Sequence, residues 1–156
     1  PGTPGIALIG LFDYAPIPRQ AYLEGVDTVL CDTRLAGASA VAGLKTLNRL
    51  EQVLGRSECL AAGAFEGLMV DAGRRLICGT MSNVFLVRNQ SLVTPALHRC
   101  GVEGIMRQFV METCGDVEVC DLTFDDLPDA VGIFTFSKQF FFIAVLFFLS
   151  PFAGSL

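Results

Sequence analysis

A lysine beside an apolar helical pattern is the residue of this chain best suited to covalent chemistry. Lys45 lies in the run Leu-Lys-Thr-Leu-Asn-Arg-Leu-Glu-Gln, which begins at Leu44. In apolar surroundings the pKa of a lysine falls, and the neutral amine then attacks aldehydes. A lysine at the start of a helix can equally face the solvent. Residues elsewhere in the chain must therefore decide its role.

Two glycines before a second helical pattern suggest a site for an anion. Gly101 and Gly104 precede an apolar stripe that starts near Ile105. Small residues there let backbone N–H groups point outwards, and the helix dipole favours a bound anion such as phosphate. Glycines before helices are also common as plain turn residues. The segment is therefore a candidate phosphate site.

The composition narrows the classes of protein that fit the chain. Its 156 residues are 52% hydrophobic and 17% charged, which suits one folded domain. The net charge of −5 and the scattered basic residues argue against nucleic acid as a partner. The six cysteines lack Cys-x-x-Cys spacing and His98 is the sole histidine, so we expect no metal site. Because no signal peptide is recognisable, free thiols in a reducing cytoplasm are expected.

The hydrophobic periodicity predicts a mixed α+β fold. Helical spacing predicts helices over residues 47–61 and 104–113, the second one stopped by Gly115. Runs of β-forming residues between turn residues predict strands, with at least one hairpin among them. The predicted strands cover residues 5–11, 25–33, 65–71, 76–78, 84–87, 91–94, 117–120 and 130–136, and a capped helical turn covers 122–127.

The last part of the chain is strongly apolar. Ten consecutive apolar residues, five of them phenylalanine, fill positions 140–149. A bilayer of about 30 Å takes about 20 residues to cross, so no membrane anchor is expected. We predict a buried strand or an exposed, aggregation-prone one. The segment also resembles the product of a shifted reading frame.

Three segments together resemble a known enzyme family. They are residues 44–54, residues 79–85 (Gly-Thr-Met-Ser-Asn-Val-Phe) and residues 100–108 (Cys-Gly-Val-Glu-Gly-Ile-Met-Arg-Gln). Their order and spacing are similar to those of the fold-type IV pyridoxal-phosphate enzymes, which include branched-chain and D-amino-acid aminotransferases. The first segment is most similar to the aminodeoxychorismate lyase branch. The resemblance covers residues 22–129 and implies the C-terminal domain of this fold.

The resemblance implies roles for the residues that would hold the cofactor. Lys45 matches the lysine that forms the Schiff base with pyridoxal phosphate and moves protons at the substrate carbon. Ile105 and Met106 match the turn whose N–H groups hold the phosphate, and Val102 matches an apolar residue near the cofactor ring. The implied reaction eliminates pyruvate from aminodeoxychorismate and leaves 4-aminobenzoate, a folate precursor.

The position of the ring-nitrogen partner departs from the family. Cys78 stands where the family has a glutamate that keeps the ring nitrogen of the cofactor protonated. A thiol is a poorer acceptor and is neutral in apolar surroundings, so the electron sink would weaken. Ser82 and Asn83 follow this position in the same motif. Thr135 and Ser137 match a polar turn that touches the phosphate.

The resemblance also implies the organisation of the chain. We expect residues 1–20 to be a remnant of a small N-terminal domain and its linker, 21–137 the cofactor-binding domain, and 138–156 a divergent tail. Most of the N-terminal domain, which supplies an arginine to the phosphate, is expected to be absent. A homodimer acting on a small molecule is expected, with no nucleic acid or membrane partner.

Three functions stay open at this point. The motif around Lys45 favours a pyridoxal-phosphate-dependent lyase. An aminotransferase of the same family would use the same residues. Cys78 and the missing domain favour a third possibility, a truncated or degenerate paralogue without catalysis.

Overall fold

The structure, a computed structural model, describes residues 9–11, 13, 17–37, 40–137 and 140–145, with the backbone alone for 137 and 140–145. The strand predicted over residues 5–11 lies largely outside the described residues, as does the tail from residue 146 onwards. The elements are α1 (Arg19–Glu24), β1 (Thr28–Leu30), α2 (Leu50–Ala61), β2 (Glu66–Val70), β3 (Arg75–Gly79), β4 (Asn83–Arg88), β5 (Ser91–Pro95), α3 (Ile105–Cys114), β6 (Val117–Cys120), β7 (Leu122–Thr123), a 3-10 helix (Phe124–Asp129), β8 (Gly132–Ser137) and β9 (Phe140–Val145).

The strands form two sheets. The first has the order β1-β2-β3-β7, with β1 parallel to β2 and the other pairs antiparallel. The second has the order β6-β5-β4-β8-β9, with β5 parallel to β6 and the other pairs antiparallel. Helices and mixed sheets together confirm the predicted α+β fold class.

The first sheet is buried on both faces, which explains its apolar sequence. Leu68 and Leu76 pack in a cluster that also contains residues of the second sheet, so the two sheets meet through this core. Met69 and Ile77, one position along each strand, point to the opposite face and join a second cluster. Alternate residues of a strand face opposite sides, and here both sides are covered.

Helix α3 packs on the second sheet and thereby fixes the place where the helix begins. Val110 is buried against Phe85 of β4 and Phe136 of β8, with Met106 partly buried beside them. The two phenylalanine rings meet edge to face, with centroids 5.2 Å apart and planes at 85°. Such aromatic pairs add about 0.5–1.5 kcal/mol beyond the area they bury.

The predicted turns and helix ends follow the backbone angles of particular residues. Gly115 ends α3 with a φ of 74°, as predicted. Asn89 and Gln90 both have positive φ, and they form the two-residue turn of the predicted β4–β5 hairpin. Helix α2 begins three residues later than predicted because Arg49, at its N-cap, has the non-helical angles φ −124° and ψ 24°.

Near the N-terminal end the structure differs from the prediction, whereas in the apolar tail it contains a strand. Helix α1 was not predicted, and the long strand expected over residues 25–33 is reduced to β1. In the apolar tail, β9 pairs antiparallel with β8 and so confirms a strand over residues 140–145. None of the helices in the described part of the chain has the length and hydropathy needed to cross a bilayer.

Candidate active site

A cavity of about 310 Å³ lies where the loop before α2, the turn between β3 and β4, and the start of α3 come together. This volume falls within the range of small-molecule sites. Two segments form its sides: residues 78–79 with 81–83, which we call the turn wall, and residues 102–106, which we call the helix wall. The described lining residues are Lys45, Arg49, Cys78, Gly79, Met81, Ser82, Asn83, Val102, Glu103, Gly104, Ile105 and Met106.

The loop that carries Lys45 is tied to the helix wall through its backbone. Gly43 forms an isolated parallel bridge with Val102. The Gly43 N–H donates to the Gly101 carbonyl at 3.1 Å, and the Glu103 N–H donates to the Gly43 carbonyl at 2.9 Å. Lys45, two residues further on, is thereby placed at the exposed mouth of the cavity. Two segments that are distant in the sequence thus meet at the cavity.

Among the described residues, no side chain at the N-cap of α3 accepts from the backbone N–H groups at the start of the helix. Gly104 is the N-cap of α3, and its extended backbone (φ −71°, ψ 146°) carries no side chain that could accept from the first turn. Within the described residues no acidic side chain lies in that first turn. The first N–H groups of a helix have no partner within the helix, and with the helix dipole they favour an anion. The geometry fits a phosphate.

Asn83 joins the two walls. Its side-chain amide donates to the Val102 carbonyl at 2.8 Å, and the residue is buried. A Cβ added to Gly104 would lie only 2.4 Å from the Asn83 side-chain oxygen. The absence of a side chain at Gly104 is therefore what allows this approach. Asn83 acts here as a positioning residue for the start of α3.

Cys78, next to the last residue of β3, is a buried thiol. Burial, opposed by Arg49 and reinforced by the negative charge of Glu66, raises the pKa of the Cys78 thiol to about 12. At neutral pH the thiol is therefore uncharged. It cannot supply the negative charge that a carboxylate would place at this position.

A buried carboxylate behind the turn wall was not predicted as part of the site. Glu66, on β2, is 1% exposed. Its Oε1 accepts from the N–H groups of Gly67 (2.9 Å) and Thr80 (3.0 Å) and from the Thr80 hydroxyl. Its Oε2 accepts from the Ser82 hydroxyl at 2.7 Å. The available signal was a charged residue inside an otherwise apolar strand pattern, Phe-Glu-Gly-Leu-Met-Val.

The sequence-predicted residues are not all at the cavity. Lys45, Cys78, Ser82, Asn83, Val102, Ile105 and Met106 line it, together with Arg49, Gly79, Met81 and Glu103, which were not predicted. Thr135 lies outside this set: it is buried on β8, where its Cα pairs with that of Val84. Its role toward a phosphate stays a prediction, and the side chain of Ser137 lies outside the described part of the chain.

Comparison with known proteins identifies the class that this fold and cavity represent. The chain belongs to the family of class IV amino-transferases, whose family model matches residues 4–139. This family depends on pyridoxal phosphate, and the match confirms the resemblance stated from the three sequence segments.

Two lyases and an aminotransferase are among its relatives. The chain is 36% identical over 111 residues to aminodeoxychorismate lyase of Vibrio harveyi, an alignment that covers 69% of this chain and 41% of that protein. The structure of 4-amino-4-deoxychorismate lyase from Pseudomonas aeruginosa superposes with a TM-score of 0.77 at 41% identity, covering 83% of this chain and 49% of that one. The branched-chain aminotransferase of Thermoproteus uzoniensis with norvaline gives 0.70 at 25% identity, covering 77% and 42%. The chain thus spans between two-fifths and half of these relatives.

The residues at the cavity fit two of the polar groups of pyridoxal phosphate. Lys45 offers an amine for the aldehyde, and the start of α3 offers backbone donors for the phosphate. A third polar group, the ring nitrogen, would find no charged partner in the thiol of Cys78.

Proposed function

We propose that the cavity binds pyridoxal phosphate, with Lys45 joined to its aldehyde carbon and the first turn of α3 holding its phosphate. The observation that carries this proposal is the backbone bridge that places the Lys45 loop beside the start of α3. An amine and an anion site within one cavity of about 310 Å³ match the two reactive ends of this cofactor. A visible absorption band after addition of the cofactor, absent in Lys45→Ala, would support the proposal; no band in excess cofactor contradicts it.

We propose that the reaction is that of the lyase relatives, elimination of pyruvate from aminodeoxychorismate to leave 4-aminobenzoate. When bound, the cofactor supplies an electron sink for the negative charge that develops at the substrate carbon. Lys45 would take and return the proton at that carbon. Asn83, through Val102, would keep the helix wall in place.

The lyase proposal is tested by product formation. The chain is incubated with pyridoxal phosphate and aminodeoxychorismate, and 4-aminobenzoate and pyruvate are measured in equal amounts. Lys45→Ala is the matched control, since it removes the amine at the exposed mouth of the cavity without touching the core. Formation of both products by the parent chain and not by the control supports the proposal, whereas equal rates contradict it.

An aminotransferase is the second candidate, supported by the likeness to the Thermoproteus uzoniensis enzyme. It would use the same cavity and Lys45. Supplying an amino-acid donor and a keto-acid acceptor separates the two reactions by their products: transfer of the amino group gives a new amino acid, and elimination gives 4-aminobenzoate.

A third candidate is a chain that binds the cofactor without catalysis. The observation in its favour is the uncharged, buried thiol of Cys78 on the turn wall. This candidate predicts that Cys78→Glu makes no 4-aminobenzoate; recovery of product formation in that variant refutes it.

We also propose the organisation and setting expected from the sequence: a segment over residues 1–20 that leads into a cofactor domain over 21–137, a tail over 138–156, a homodimer, and the cytoplasm. Exposed apolar residues of α2, among them Leu50, Val53 and Leu54, support a subunit contact. All six cysteines are free thiols, which suits a reducing compartment. Light scattering of the purified chain measures the oligomeric state.

A further inference from the structure

We propose that Ser82, polarised by the buried Glu66, is the hydrogen-bond acceptor for the ring nitrogen of the bound cofactor. This inference rests on the proposed binding of pyridoxal phosphate. It gives a function to a buried carboxylate that the reaction described above does not use.

Ser82 donates its hydroxyl proton to the buried carboxylate of Glu66. The hydroxyl oxygen lies 2.7 Å from Glu66 Oε2, while Glu66 Oε1 accepts from the backbone N–H groups of Gly67 and Thr80 and from the Thr80 hydroxyl. Because Ser82 also lines the cavity, the lone pairs of its hydroxyl oxygen can accept a hydrogen bond from a bound molecule.

The position of the pair is fixed by Gly79. A Cβ added to Gly79 would lie 2.3 Å from the Ser82 hydroxyl oxygen and 2.9 Å from Glu66 Oε2. The Ser82–Glu66 contact therefore lies directly over the backbone of the residue after Cys78. The negative charge of Glu66 also contributes to the raised pKa of the Cys78 thiol, so the charge reaches this part of the cavity.

The other polar side chains of the cavity have different places. Lys45 and Arg49 lack lone pairs when charged, and the Asn83 oxygen approaches Gly104. Glu103, on the helix wall, packs over Gly43: the Cγ of Glu103 would lie 3.3 Å from a Cβ added to Gly43. Cys78 is an uncharged thiol. Among the described side chains of the turn wall, Ser82 therefore carries the oxygen that can accept a hydrogen bond from a ligand while it is itself bonded to the carboxylate of Glu66.

The experiment measures protonation of the ring nitrogen rather than turnover. Pyridoxal phosphate labelled with ¹⁵N in the ring is fixed to the protein with borohydride, and the nitrogen is titrated by NMR. The titratable or charged groups around it are Lys45, Arg49, Cys78 and Glu103, with Glu66 behind Ser82. In Ser82→Ala the proton affinity of the ring nitrogen should fall about tenfold, the effect of one pKa unit.

Two controls separate this role from a structural one. Thr80→Val removes the other hydroxyl that donates to Glu66, and Thr80 is not among the described residues that line the cavity. It should change the unfolding midpoint but leave the proton affinity of the ring nitrogen within about twofold of its value in the parent chain, since a distant hydroxyl contributes well under one pKa unit. Glu103→Gln removes the charge of the carboxylate that lines the helix wall, and it should shift the titration less than Ser82→Ala does.

The outcomes are distinguishable. If borohydride fixes no label on Lys45, the proposed function itself fails. If the label forms and Ser82→Ala titrates like the parent, or if Thr80→Val shifts the titration as much as Ser82→Ala does, the assignment of Ser82 is overturned.

Discussion

The helix wall and the turn wall of the cavity differ in which atoms face a ligand. On the helix wall these are backbone N–H groups, placed by Gly104 and by the contact between Asn83 and Val102. On the turn wall they are side chains, among them the uncharged thiol of Cys78. An anion site made of backbone depends on few side chains, whereas a charged contact is lost with one substitution. On the proposed function, we therefore expect that cofactor binding and the tuning of the cofactor ring can be changed separately.

The largest expected effect comes from restoring a carboxylate on the turn wall. Cys78→Glu should raise the rate of 4-aminobenzoate formation by on the order of 10²-fold, since charge stabilisation in a preorganised site is worth that much. Product formation per bound cofactor is the measurement. The affinity for pyridoxal phosphate should change far less. An unchanged rate with intact binding would show that position 78 does not limit the reaction.

A change on the helix wall should act on affinity instead. Gly104→Ala places a Cβ 2.4 Å from the Asn83 oxygen and so displaces the start of α3. We expect the dissociation constant of pyridoxal phosphate to rise at least about tenfold, equivalent to about 1.4 kcal/mol. Gly37→Ala is the matched control, because no described atom lies within 4 Å of a Cβ at Gly37. Equal affinity of the two variants for pyridoxal phosphate would show that the start of α3 does not hold the phosphate.

Removing the link between the walls should have a smaller effect of the same kind. Asn83→Ala deletes the hydrogen bond to the Val102 carbonyl, a contribution of about 1 kcal/mol or roughly fivefold in affinity. Titration with pyridoxal, which lacks the phosphate, supplies the control. Its affinity should change less than that of pyridoxal phosphate, and an equal loss for both would place Asn83 elsewhere in the site.

A change away from the cavity should affect stability alone. Asp71 forms an ion pair with Arg75 at 2.5 Å. Burial alone would raise the pKa of the Asp71 carboxyl, but hydrogen bonds from Arg75 and Gly73 outweigh it and hold the pKa below its usual range. The stabilisation is therefore present above the unfolded pKa of about 3.9 and is lost as the pH falls through the lower folded pKa.

Asp71→Asn should accordingly lower the free energy of unfolding by roughly 2 kcal/mol at neutral pH, because Arg75 keeps its ion pair with Asp121. The difference from the parent should shrink in acid, as urea titrations at several pH values would show. Cofactor affinity at neutral pH should be the same as in the parent. A loss of cofactor affinity in Asp71→Asn would mean that the geometry of the two walls depends on the stability of the whole domain.

The sequence predicted the helix wall better than the turn wall for a physical reason. Gly101, Gly104 and the stripe after Ile105 are neighbours in the chain, so their shared role is visible in one segment. Glu66 receives its donors from residues 14 and 16 positions away, and only the pairing of β2 with β3 brings them together. The late start of α2 depends on the backbone angles of Arg49, which an apolar stripe does not encode.

Covalent trapping at Lys45 tests most directly whether the amine and the anion site form one cofactor pocket. The chain is incubated with pyridoxal phosphate, reduced with borohydride, digested and mapped by mass spectrometry. We predict a phosphopyridoxyl group on Lys45. When pyridoxal replaces pyridoxal phosphate, the yield of labelled Lys45 should be much lower. A label on Lys138 or on the N-terminal amine, with Lys45 unmodified, would contradict the account.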